Sequence, residues 1–172
     1  LIHDAGAVPA AAELEVTSTL PVGAHLSVPI RLSDGRVYGT FCCFSTTPDH
    51  SLNERDLAIM RVFADLTAAQ IDHQETHEQR MATTVAQVEA AIGGDGLSMV
   101  FQPIVATATG RPIGFEALAR FDVAPRRGPD VWFADAAAVG LGVELELAAL
   151  RLALRSLGSV PSDAYLALNA SP

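Results

Sequence analysis

The chain has 172 residues with 11 Lys+Arg against 20 Asp+Glu, a formal net charge of -9 at pH 7, and room for one ordinary domain or two small ones. That balance argues against a nonspecific binder of nucleic-acid polymers or membrane surfaces, which needs a basic face. A content of 49% hydrophobic and 18% charged residues excludes a disordered tail. No apolar run approaches the ~20 residues of a membrane span, because the most apolar stretch, Ala134 to Leu157, is broken by Asp135, Glu144, Glu146, Arg151 and Arg155. The first fifteen residues hold no basic cluster followed by an apolar block, so no secretory leader is expected there. Two adjacent cysteines, Cys42 and Cys43, give neither a disulfide framework nor a metal spacing. A cytoplasmic setting is the expectation.

Residues 1 to 22 are small and turn-rich. His25 to Leu32 alternates at period two and reads as a strand, Ser33-Asp34-Gly35 as a hairpin turn, and Arg36 to Phe44 as its partner strand. Ser51-x-x-Glu54 has the form of a capping box. Leu57, Met60, Phe63, Leu66 and Ile71 follow at amphipathic spacing, and Met81, Val85, Val88 and Ile92 resume it beyond a polar stretch. One long helix over 53 to 92, or two nearly continuous ones, is expected, ended by Gly93, Gly94 and Gly96. Strands then fall at 99 to 105 and 113 to 121, helices at 130 to 139 and 143 to 157, and a last strand at 164 to 169. This order is a fragment of an α/β fold.

Glu116 and Asn169 lie near the ends of two strands, and a carboxylate with an amide suits a hard divalent cation. On spacing alone the pair is a weak signal, because isolated polar residues at strand ends are common. Arg120, four residues after Glu116 on the same strand face, has the fork to hold a phosphate, or is a solvated charge. His73 and His77 are spaced i, i+4 but lack a third ligand, which favours a solvated helix face. Cys42 and Cys43 point to opposite strand faces and read as small buried apolar residues. Trp132 and Phe133 read as core anchors. Met81, Val85, Val88 and Ile92 are spaced 4, 3 and 4, as a dimer seam or as a stripe packed on the chain's own fold.

Phe101-Gln102-Pro103-Ile104-Val105, the stretch Thr109 to Arg120 containing Glu116-Ala117-Leu118, Pro129 to Leu141, and Leu166 to Pro172 together resemble the opening of an EAL domain, the cyclic di-GMP phosphodiesterase module of bacterial signalling. Leu26 to Ile30, Asp34-Gly35, Tyr38 to Cys42 and Pro48 to Leu57 resemble the second half of a GAF domain. The fold so implied is α/β: an α+β sensor portion with an antiparallel sheet, a long linker helix, and a partial TIM-like (β/α)8 barrel whose first strand runs antiparallel to the rest. The expected divisions are a partial GAF domain over 1-74, a linker helix over 75-96 and the N-terminal part of an EAL domain over 97-172. A start at Leu1 and a stop after Asn169-Ala170-Ser171-Pro172 lead to the expectation that both domains are cut.

The resemblance implies that Glu116 and Asn169 are metal ligands for Mg²⁺ or Mn²⁺ in a two-metal site only partly present, and that Gln102, Leu118 and Arg120 contact the dinucleotide. It implies metal-dependent hydrolysis of cyclic di-GMP to linear pGpG, regulated by a GAF effector of unassigned chemistry, in a homodimer. No complete catalytic set falls within the chain, so by itself it is expected to be inactive. A degenerate EAL receptor that binds without cleaving, and a GAF-driven sensor or dimerisation protein, are the alternatives. Ala136-Ala137 replaces the family's usual Ala-Glu, so helix or loop contacts there depart from the pattern.

Overall fold

The computed structural model describes residues 1–124 and 126–170, with the side chain of Ser18 also outside the description. Pro125 of the expected loop and Ser171-Pro172 of the last motif therefore lie outside the described residues. The chain divides into two compact units, Leu1–His77 and Glu78–Pro172.

In the first unit, the segment expected to be turn-rich folds into two short helices, α1 (Pro9–Ala12) and α2 (Glu15–Thr19). Proline in the first turn and the alanines behind it favour helix over turn. Two strands follow, β1 (Ala24–Arg31) and β2 (Val37–Ser45), paired antiparallel with Val28 opposite Phe41. Gly35 closes their hairpin at φ 88°, a conformation that suits glycine. Alternation sends Leu26, Val28 and Ile30 to one face, where they bury against Met60, Ala64 and Ala68 of α3 (Glu54–Ile92). Phe41 packs onto the same cluster, and its ring stacks with that of Phe63 at 6.0 Å between centroids. Both cysteines are exposed, against the expectation of burial, because β2 has no strand on its outer side among the described residues.

The start of α3 also departs from the expected cap. Asn53, not Ser51, is the capping residue: its Oδ1 accepts the N–H of Arg55 at 2.9 Å, and Oδ2 of Asp56 accepts the N–H of Asn53 at 2.9 Å. This is the same reciprocal box shifted by two residues. Ser51 is occupied elsewhere, donating its hydroxyl to Asp49 Oδ1 at 2.6 Å.

In the second unit, α3 ends where Gly94 takes φ 104° and the N–H of Asp95 reaches back to the Ala90 carbonyl at 2.9 Å. Three strands form its sheet in the order β3 (Leu97–Val105), β4 (Pro112–Phe121), β5 (Tyr165–Leu168). β3 and β4 are antiparallel, β4 and β5 parallel. Two helices, α4 (Pro129–Ala138) and α5 (Gly142–Arg155), make the connection from β4 to β5. A mixed sheet with helical crossover after an antiparallel first strand agrees with the opening of the barrel expected from the sequence. The core joins Val88 and Ala91 of α3 to Leu97, Phe121, Trp132, Ala136, Leu145 and Ala149. Trp132 is fully buried and stacks on Phe121 at 4.8 Å and 9° between planes. Val88 is fully buried and Ile92 packs on this cluster, so that part of the 81–92 stripe faces its own unit.

Candidate functional site

Side chains on β4 alternate between the helices and the opposite face. Ala117 and Phe121 are buried toward α4 and α5, so Glu116, Leu118 and Arg120 share the other face. Gln102 stands directly across from Glu116 in the β3–β4 ladder, on that same face. On the other side, Ala167 of β5 is level with Glu116, and Asn169 follows just beyond the strand end. Asn169 Nδ2 donates to Glu116 Oε1 at 3.0 Å. Two residues 53 positions apart in sequence thus meet through the parallel β4–β5 pairing.

Glu116 lies in mid-strand, not near the end of β4, because the antiparallel ladder with β3 continues to the Leu97–Phe121 pair. Measured against the shorter β5, however, it is next to the strand terminus. Arg120 is ~13 Å further along the same face at the usual rise per residue, exposed, with Nη1 donating to the carbonyl of Ala119 at 2.8 Å. Gln102 is exposed and Leu118 is half-buried. The structure therefore brings Gln102, Glu116 and Asn169 together and sets Leu118 and Arg120 along the same face without contact to that pair.

A cavity of about 350 Å³ lies on the helix side of this sheet, lined among others by Ala117, Ala119, Ala149, Ala153 and Leu168, and it reaches Arg120 and Asn169. Gln102 and Glu116 are absent from its lining. The face carrying Glu116 and Gln102 is thus separate from this cavity. Among the described residues no three His, Cys, Asp or Glu side chains cluster as a metal site, and His73 and His77 are exposed on α3. No described helix is long and apolar enough to cross a membrane.

One polar centre escaped the sequence reading. Arg127, in the loop before α4, donates through Nη2 to Gln87 Oε1 of α3 at 2.7 Å, forms an ion pair with Asp135 of α4, and sits 4.7 Å over the Trp132 ring. Arginine beside the only tryptophan, with an aspartate eight residues on, was the available signal. Arg127 acts as a structural clamp between the end of α3 and the start of α4.

The GAF domain family matches residues 1–71 and the EAL domain family matches residues 85–172. No curated protein matches the chain. An EAL domain implies a cyclic di-GMP phosphodiesterase-type or related function, and EAL domains generally use divalent metals. With just over half of its residues inside that match, and a GAF domain ahead of it, the chain belongs to the EAL domain family.

Proposed function

We propose that the second unit binds cyclic di-GMP on the face carrying Gln102, Leu118 and Arg120, beside a Mg²⁺ or Mn²⁺ site to which Glu116 and Asn169 contribute. The biological role we infer is a cytoplasmic, GAF-regulated phosphodiesterase that yields linear pGpG. The observation that carries this reading is the 3.0 Å contact of Asn169 with Glu116 across two strands, with Gln102 in register beside it. Those residues fit a hard cation: a carboxylate and an amide oxygen are the donors it prefers. Asn169 now offers Nδ2 to Glu116, and a half-turn of its amide presents Oδ1 instead.

Each residue's part follows from its chemistry. Glu116 supplies the one negative charge of the pair, and Asn169 a neutral oxygen. Arg120 keeps guanidinium donors beyond the one given to Ala119 and can grip a phosphate oxygen pair. The Gln102 amide both donates and accepts, which suits a base edge or a phosphate oxygen. When bound, divalent cations neutralise the phosphodiester and lower the pKa of water. Two protein donors fall short of the full oxygen shell that Mg²⁺ requires, so we propose that this chain alone holds the cation weakly and does not turn substrate over.

The test is calorimetric titration of Mn²⁺, then of cyclic di-GMP with Mn²⁺ present, into the 172-residue chain. Glu116→Gln is expected to weaken Mn²⁺ at least ~10-fold, and Arg120→Ala to weaken only the dinucleotide. Equal Mn²⁺ affinity in wild type and Glu116→Gln would overturn the site. Release of pGpG by the chain alone would overturn its inactivity.

A further inference from the structure

Helix α3 crosses a gap in its own apolar support. Among the described residues, Ile71 is its last side chain packed on the first hydrophobic cluster and Val88 its first in the second. Within that gap Asp72 to Arg80 is an unbroken run of nine residues without an apolar side chain. A helix polar all round has no face to bury, so it persists only where something other than core packing holds it. Nine residues are also fewer than the ~12–15 an isolated helix needs in water. His73, Thr76 and His77 lower the propensity further. The run is nevertheless helical throughout, inside Glu54–Ile92.

Polar ties from distant parts of the chain fall at the two ends of this gap. At its start, Asp72 Oδ2 accepts the N–H of Ser33 at 2.9 Å, and Glu75 Oε2 accepts Arg36 Nη2 at 2.9 Å. Both donors sit at the tip of the β1–β2 hairpin, 39 positions away in sequence. Arg36 is itself braced, because Asp34 accepts its Nε at 2.6 Å and its backbone N–H at 2.9 Å. At the far end, Gln87 Oε1 accepts Arg127 Nη2 at 2.7 Å. Each tie lies within its own unit. The side chains of Arg36 and Glu75 are 61% and 44% exposed, so their pair is weak and easily broken.

We propose that residues 72–87 form a conditional helix, ordered while the hairpin tip holds its first turn and Arg127 its last, and passing to coil when either end is released. This is an order–disorder device built from local stability at the low end of its range. Its input is any displacement of the 33–36 turn or of Arg127. Its output is a stretch of chain that changes from a stiff helix to a flexible tether. The device is independent of the nucleotide site.

Hydrogen exchange of the full chain, read by mass spectrometry over 72–87, tests it. Arg36→Ala with Asp72→Ala removes the ties at the first end, and Gln87→Ala removes the tie at the second. Asp72→Ala and Gln87→Ala both place the strongest helix former in α3, so propensity alone would slow exchange whereas loss of the ties speeds it. Exchange over 72–87 is expected to be at least ~3-fold faster in either variant, with the β1–β2 and β3–β4 ladders as protected as in wild type. Adding His73→Ala and His77→Ala to the first variant should restore slow exchange by propensity alone. Unchanged or slower exchange over 72–87 in either variant would overturn the proposal. So would strands that lose protection together with the segment, or no recovery with the two added alanines.

Discussion

Replacing Arg127 by alanine tests whether one side chain clamps the end of α3 to the start of α4 within the second unit. The substitution removes a charged hydrogen bond to Gln87 at 2.7 Å, the ion pair to Asp135 and the cation over Trp132 at 4.7 Å. The side chains of Arg127 and Asp135 are only 22% and 31% exposed, so water screens the pair incompletely. Charged hydrogen bonds contribute about 1.5–3 kcal/mol and a cation over an aromatic face about 1 kcal/mol. Against this, Arg127 Nε is buried without a hydrogen-bond partner, and removing it returns about 1 kcal/mol. The net expected loss is about 1.5–3 kcal/mol. Trp132 is the only tryptophan, so its fluorescence in urea follows the second unit selectively. With a urea dependence of about 1–1.5 kcal/mol per molar, the midpoint should fall by about 2 M. Arg127→Lys keeps the charge without the planar fork and should lose about half as much. A loss under ~0.5 kcal/mol for Arg127→Ala, or Arg127→Lys indistinguishable from wild type, would refute the clamp.

Two further outcomes follow from the first unit. Asn53→Ala should destabilise it by about 1 kcal/mol and speed amide exchange in the first turn of α3, while Ser51→Ala should leave that turn protected. Asp34 is held below its ordinary 3.8 by the Arg36 side chain bonded to it, with further help from the Arg36 backbone N–H. Because this folded-state pKa lies below the unfolded one, the stabilisation is complete above the unfolded value and is lost as pH falls through the folded one. Carboxyl NMR titration should therefore show Asp34 returning toward its ordinary value in Arg36→Ala, and an unchanged Asp34 would contradict the assignment.

Periodicity and turn chemistry carried most of the architecture. β1, the Asp34-Gly35 hairpin, α3 and the β3–β4 pair fall within a residue or two of their expected places, because each is set by local pattern. The failures were tertiary or competitive. Ser51 and Asn53 are both competent caps, and only the Asp49–Ser51 bond decides between them. The exposure of Cys42 and Cys43 depends on which strands stand beside β2, which a single strand's letters do not encode. In the candidate site, the residue types of Glu116 and Asn169 and the position of Asn169 at a strand end were legible, whereas the mid-strand place of Glu116 and its meeting with Asn169 depend on the β3–β4 and β4–β5 registers. Arg127 was missed because its partners Gln87 and Asp135 lie on two different helices.

The choice of an amide at position 169 has a consequence for how this corner assembles. The β4–β5 junction carries one formal charge, and Asn169 neutralises part of its field by donating to Glu116. A second carboxylate there would sit within hydrogen-bond distance of the first, and like charges so close resist joint ionisation. The strand end would then order only with a counter-ion or a trapped proton. With asparagine, the junction can order in plain water, its carboxylate answered by an amide of the same chain.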